Sequence, residues 1–311
     1  MPLASHCASD LNSYAGRLTG GFPQAYLALG YDRLHMNSLA DDLVFAAELA
    51  RSAGALIADQ YEQVLRIDRK SKRDVVTDVD YRSEALVMEA ISSRHPNDAI
   101  LAEESGHHAR GRRGGGRKWR TRTWVIDPLD GTVNYANGIP YFCVSVALVE
   151  NGRPTVGVIL DPLRGEQFAA TADGPATLNG VPIHASEKEE LGDFVVSLAI
   201  IGRGGIARER RVAQAVRIPR RMGSAALALA YVGSGRFDAL VQNGGLSPWD
   251  IAAAGLIAER AGATVTDLRG GPWWNTARRG PSLSIVAAPP RHHGELLSLL
   301  RAARTTVQTR R

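Results

Sequence analysis

The stretch Trp124-Val125-Ile126-Asp127-Pro128-Leu129-Asp130-Gly131-Thr132-Val133-Asn134-Tyr135 constrains this chain more than any other. A run of β-formers, Trp124 to Ile126, ends abruptly in two carboxylates three residues apart, as at the end of a buried strand. Pro128 fixes its own φ and biases Asp127 toward an extended conformation, so the strand is expected to stop there. Gly131 opens backbone conformations closed to other residues and lets a ligand approach the main chain. Such a corner offers carboxylate and carbonyl oxygens to a hard cation such as Mg²⁺, and free N–H groups to a phosphate. The same residues also suit a polar turn in which Asp127 and Asp130 only cap the next segment.

The rest of the chain narrows the setting. Its 311 residues suffice for one large or two medium domains, and 44% hydrophobic with 22% charged residues is ordinary globular composition. No apolar run approaches the length of a membrane span, and the first residues lack the basic start and apolar core of a secretory signal. Cys7 and Cys143 alone imply no disulfide framework, so a cytoplasmic protein is expected. The net charge of +5 is clustered, first in Arg110 to Arg122 around Gly114 to Gly116, then between Arg203 and Arg221, and last at Arg310-Arg311. The first cluster reads as a solvated loop, with nucleic-acid binding the less favoured reading.

Residues 1–38 have no sustained period and read as a poorly ordered extension, with Met36 a candidate start just ahead of the first helix. From Leu39 to about Tyr61, apolar residues recur at helical spacing. A second helix is expected from about Tyr81 to Ser93, with Asp80 as its N-cap. Ala99 to Ala102 reads as a strand ending in Glu103-Glu104. Strands over 142–149 and 155–161, joined by the Asn151-Gly152 turn, open a β-rich region. An α+β half with an antiparallel sheet is therefore expected over 39–185. After about Ser186, alternating strands and helices suggest an α/β half over 186–311, in which Asp250 caps an Ala-rich helix.

Several motifs, in order, resemble those of the inositol monophosphatase family, Mg²⁺-dependent and often lithium-sensitive phosphomonoesterases related to fructose-1,6-bisphosphatase. The Trp124–Tyr135 string is one, and Glu103-Glu104-Ser105 resembles the family's glutamate pair. Arg220-Arg221-Met222-Gly223-Ser224-Ala225-Ala226 resembles the segment on the substrate side, and Trp249-Asp250-Ile251-Ala252-Ala253-Ala254 the distal Trp-Asp motif. Lys70 with Asp74 and Asp80 resembles the early lysine and aspartates around the site. The match covers roughly residues 39 to 300 and implies an α+β/α/β layered sandwich, inositol monophosphatase/fructose-1,6-bisphosphatase-like, with a metal site between its halves.

Carried over by position, the resemblance implies that Glu103, Asp127 and the Leu129 carbonyl hold one Mg²⁺, and that Asp127, Asp130 and Asp250 hold a second. A third, weaker ion near Glu103 is also seen in the family. Glu103 and Thr132 would activate water, with Asp80 supporting the Thr132 hydroxyl, while Gly131 and Thr132 N–H groups bind phosphate. Lys70, Arg220, Gly223 and Ser224 fall on the phosphate or substrate side. Where many members carry an inositol-binding Glu six residues before the Trp-Asp motif, this chain has Asn243, and Val133 replaces a usual Thr. The implied function is hydrolysis of a small polyol phosphate, inositol 1-phosphate first, by a homodimer. Histidinol phosphate is the alternative substrate. A reading from another class is an RNA- or transcription-complex-binding factor with vestigial activity, as some bacterial members are.

Overall fold

The helical period beginning at Leu39 becomes α1 (Leu39–Asp59), whose Ser38 cap and Asp41 exchange side-chain and backbone hydrogen bonds. The computed structural model describes residues 38–63, 67–71, 74–108, 122–202, 204–275 and 283–301. Residues 1–37, most of the Gly/Arg loop and the C-terminal arginines lie outside the described residues. A short hairpin, β1 (Ile67–Ser71) and β2 (Asp74–Thr77), leads into α2 (Asp78–Arg94). This helix starts earlier than its sequence suggests. Thr77 is the N-cap and Asp80 the third helical residue, closing a capping box from inside.

An eight-stranded sheet follows. Its strands are β3 (Ala99–Ala102), β4 (Gly106–His108), β5 (Arg122–Asp130), β6 (Cys143–Glu150), β7 (Arg153–Asp161), β8 (Glu166–Thr171), β9 (Thr177–Leu178) and β10 (Val181–Pro182). They lie in the order β10-β9-β8-β7-β6-β5-β3-β4. Asn151 and Gly152 both take positive φ, 49° and 80°, which matches the turn to the right-handed twist of β6 and β7. The sheet departs from the antiparallel expectation at one place, where β3 and β5 run parallel.

A five-stranded mixed sheet carries the remaining chain. It comprises β11 (Val195–Ile200), β12 (Ile218–Arg220), β13 (Ala239–Leu246), β14 (Thr264–Thr266) and β15 (Leu283–Ala288), in the order β12-β11-β13-β15-β14. Its helices are α4 (Gly205–Ala215), α5 (Ala225–Gly233), α6 (Pro248–Arg260) and α7 (Pro290–Arg301), while α3 (Thr132–Ala136) is a single turn after β5. α4 escapes the sequence reading because it buries only Gly205 and Val212. Its arginine-rich face leaves almost no apolar stripe to detect.

Strand alternation explains the layering. Along β5, Trp124 and Ile126 join the core beneath α1 and α2, whereas Val125 joins the core containing α5 and α6. α5 and α6 also contact the five-stranded sheet, whose far face is covered by α4 and α7. The result is an α-β-α-β-α sandwich. Its central layer depends on close approach: an ideal Cβ on Gly157 of β7 would lie 2.7 Å from the Ala253 carbonyl oxygen of α6. Because backbone atoms cannot swing aside, Gly157→Ala should displace α6 and cost about 1–3 kcal/mol by overpacking. Urea denaturation of the variant measures that loss; an unchanged midpoint would contradict the packing.

Candidate active site

Two aspartates three apart on a regular strand would face opposite sides of the sheet. Here Asp127 pairs with Ser145 and Asp130 with Cys143, so β5 uses an extra residue against β6. The bulge turns both carboxylates toward the same face, and it explains why β5 runs on to Asp130 through Pro128 instead of ending at Asp127. Proline, lacking an N–H, is tolerated in an interior strand at such an irregularity. Gly131 then takes φ 100°, and an added Cβ would meet Tyr141 O at 3.1 Å and Ser224 Cβ at 3.2 Å. Both the turn and the space demand glycine.

The other acids arrive by register. The parallel pairing of β3 with β5 aligns Ala102 with Ile126, so the next residues, Glu103 and Asp127, emerge side by side. Across the sheet, Ser145, opposite Asp127, donates from its hydroxyl to the Trp249 carbonyl at 3.0 Å and docks the first turn of α6. Asp250 is the third residue of that helix rather than its N-cap. Ser247 caps, and its backbone N–H donates to Asp250 Oδ2 at 2.6 Å. Carboxylate oxygens of Asp127, Asp130 and Asp250 all lie within 4.8 Å of one another, with Asp127 and Asp130 buried. The Glu103 side chain lies against Asp127.

Hydrogen bonds hold these groups. Asp127 Oδ1 accepts from the Leu129 N–H at 3.0 Å, and Asp130 Oδ2 accepts from Ser224 Oγ at 2.6 Å and the Ala226 N–H at 2.7 Å, at the start of α5. Asp80 is buried behind the corner, taking the Thr132 hydroxyl on Oδ1 at 2.9 Å and the Thr77 N–H and hydroxyl on Oδ2 at 2.8 and 2.5 Å. Burial, then the charges of Glu103, Asp130 and Asp250, pushes Asp127 well above the ordinary carboxylate range. Burial also raises Asp130, to about 6, against the hydrogen bonds from Ser224 and Ala226. Asp80 rises for the same first reason. An oxygen-only donor set of buried, mutually repelling carboxylates beside the Leu129 carbonyl suits a hard divalent cation such as Mg²⁺.

These groups open on a cleft of about 840 Å³. Glu103, Asp127, Leu129, Asp130, Gly131, Thr132, Gly223, Ser224 and Asp250 all line it. Two expected contacts stand elsewhere, and a third lies outside the described residues. Asn243 donates its side-chain amide to the Ile201 carbonyl at 3.0 Å, and its neighbour Gln242 lines the cleft instead. The Gly244-Gly245 irregularity shifts the register between Asn243 and Leu246, which displaces any position counted back from Trp249. Arg220 is exposed, donating to Pro219 O, while Arg221 lines the cleft and holds Glu209 of α4 through both carboxylate oxygens. Lys70 belongs to β1, but its side chain lies outside the described residues, as does that of Asp74.

Sequence reading passed over several residues that build the site. Ser145 lies in no motif, and Asn134, though within the Trp124–Tyr135 string, received no role; it donates its amide to Tyr141 O at 2.7 Å and Met222 O at 2.8 Å. Glu84 of α2 is another, buried with its oxygens on the Glu104 and Ser105 amides. The Thr-x-x-Asp and Ser-x-x-Asp spacings at Thr77 and Ser247 do carry a signal, that of a capping box.

The model of the inositol monophosphatase family matches residues 38–305, and the chain belongs to that family. The Nus factor SuhB of Escherichia coli K12 is 37% identical over 267 residues, covering 83% of this chain and 95% of its own. That of Pasteurella multocida is 37% identical over 264 residues, covering 82% and 94%. Among solved structures, the extragenic suppressor protein SuhB of Bartonella henselae aligns with TM-score 0.76 at 30% identity, over 84% of this chain and 99% of that one. The inositol monophosphatase of Anabaena aligns with TM-score 0.72 at 35% identity, over 84% and 96%. The expected layered fold is thus the observed one. Among the described residues no helix is long and apolar enough to cross a membrane.

The raised carboxylates fix a stability prediction. Asp130 keeps its proton up to about pH 6 when folded, and an unfolded Asp keeps it only to about 3.9. Between those values the folded state binds more protons, so metal-free stability falls as pH rises and the full penalty stands above the window. Asp127 and Asp80 shift in the same direction. Melting in a chelator should therefore drop in temperature from about pH 4.5 to about pH 7, and Mg²⁺ should restore more at pH 7 than at pH 5. A chelated melting temperature that rises with pH would contradict the assignment.

Proposed function

We propose that the chain is a Mg²⁺-dependent phosphomonoesterase acting on a small polyol phosphate, with inositol 1-phosphate as the leading substrate. The observation that carries this reading is the convergence of Asp127, Asp130 and Asp250 within 4.8 Å, beside Glu103, in a cleft that also presents Gly131 and Thr132. Glu103, Asp127 and the Leu129 carbonyl would hold one ion; Asp127, Asp130 and Asp250 would hold the second. Bound there, such a pair supplies charge neutralisation of the phosphate dianion, polarisation of its oxygens and water activation.

The chain's own groups supply position and proton handling. The Thr132 hydroxyl has Asp80 Oδ1 at 2.9 Å and the Leu129 carbonyl at 3.0 Å as acceptors for its one proton, which leaves the oxygen lone pairs to orient a water toward the phosphorus. Glu103, beside Asp127 and facing the cleft, takes the proton that this water loses. Gly131 and Thr132 bring their N–H groups to the phosphate oxygens. As the new P–O bond forms, the bond to the alcohol oxygen breaks, and the alkoxide regains a proton to give the free alcohol and inorganic phosphate. Gln242, Arg221 and Ser197 line the cleft beyond the acids, where the alcohol part of the substrate would lie. We place the working form as a homodimer in the cytoplasm.

A second reading is favoured by one observation: the similar bacterial proteins are named Nus factor SuhB. Association with a transcription complex or RNA would draw on the arginines of 110–122, and would weaken steeply with salt. Asp127→Asn and Asp250→Asn should each lose most Mg²⁺-dependent phosphate release while keeping the fold, scored on inositol 1-phosphate and histidinol phosphate with and without Li⁺. Wild-type rates in either variant would remove the ligand assignment. Salt-sensitive RNA retention with no cleavage of any phosphoester would favour the second reading.

A further inference from the structure

One face of α2 reaches the proposed water-activating pair twice. Asp80 and Glu84 are one helical turn apart, so their side chains leave the same face. Asp80 takes the Thr132 hydroxyl at 2.9 Å. Glu84, 3% exposed, takes the Glu104 N–H on Oε2 at 2.8 Å and the Ser105 N–H on Oε1 at 2.9 Å. Those amides belong to the turn of the β3–β4 hairpin, in which Ala102 pairs with Gly106, so that Glu103, Glu104 and Ser105 are its loop. Met88, a further turn along, receives the Ser105 hydroxyl on Sδ at 3.4 Å. Glu104 and Ser105 are thus tied to the helix, and Glu103 stands one residue before them.

A carboxylate this buried is costly unless its oxygens are satisfied. Among the described residues no cation pairs with Glu84, and it spends both oxygens on consecutive backbone amides. These two bonds anchor the backbone of the three-residue loop immediately after Glu103. We propose that Glu84 is a positioning residue that fixes Glu103 beside Asp127, and that it thereby sets the affinity of the site for Mg²⁺. This rests on the reading of Glu103 as a metal ligand. α2 is then a rail that places Thr132 through Asp80 and Glu103 through Glu84.

In Glu84→Gln one acceptor oxygen becomes an NH₂ facing an N–H, so one of the two amides loses its partner. Residues that orient metal ligands typically contribute about 10–100-fold to metal affinity when replaced. Calorimetric Mg²⁺ titration of the full chain should show a loss in that range for Glu84→Gln, with substrate KM at saturating Mg²⁺ unchanged. Should that variant fail to fold, Glu84→Asp keeps the charge, shortens the reach and should weaken Mg²⁺ in the same direction. Glu84→Gln combined with Glu103→Gln should bind Mg²⁺ no worse than Glu103→Gln alone, since Glu84 acts only through Glu103. A lower melting temperature with wild-type Mg²⁺ affinity, or additive losses in the double variant, would overturn the proposal. If Glu103→Gln itself binds Mg²⁺ as the wild type does, it is the parent ligand assignment that fails.

Discussion

Repulsion among Asp127, Asp130, Asp250 and Glu103 is the constraint around which the rest of the molecule is arranged. Burial resists ionisation first and neighbouring like charges add to it, and the raised Asp127 and Asp130 record both. No single element could hold them against it. Two come from one bulged strand, one from the loop after a parallel neighbour, and one from a helix clamped to the same sheet face through Ser145. Elements from several parts of the sandwich together hold the cluster, and a divalent cation bound there would offset its charge.

An aspartate can serve a helix end and the proposed metal site together because a carboxylate has two oxygens. Asp250 uses Oδ2 on the Ser247 amide, and Asp130 uses Oδ2 on the start of α5. Asp127 uses Oδ1 on Leu129. In each case a backbone hydrogen bond to one oxygen aims the side chain toward the cleft. A capped geometry also restricts the rotamers, so little entropy is lost when a cation is bound.

What was legible in the sequence follows from this division. Trp124–Tyr135, Glu103-Glu104 and Trp249-Asp250 announce themselves because their chemistry needs particular residue types at fixed spacing. The layered fold was legible for a related reason, since apolar periods mark the helices and strands that form the cores. The parallel β3–β5 pairing was not, because strand direction is decided by partners far along the chain. α4 was hidden by its thin apolar stripe, and the capping residues Thr77 and Ser247 were obscured by the more conspicuous aspartates beside them. Glu84 and Ser145 act on backbone groups that no side-chain pattern reveals.

The alcohol side of the cleft obeys a different logic. Ligand positions are locked by strand register and capping, so counting along the chain finds them. The far wall is set by β13, where Gly244 and Gly245 take φ 77° and 71° and break the register with β15. Side chains of a strand alternate, so an irregularity there exchanges which residue looks inward. Gln242 faces the cleft while Asn243 binds Ile201; separately, just past the end of β12, Arg221 rather than Arg220 lines the rim. The wall so formed carries an amide and a guanidinium already held by Glu209. Changes at these two glycines can therefore alter the far wall without moving Glu103, Asp127, Asp130 or Asp250.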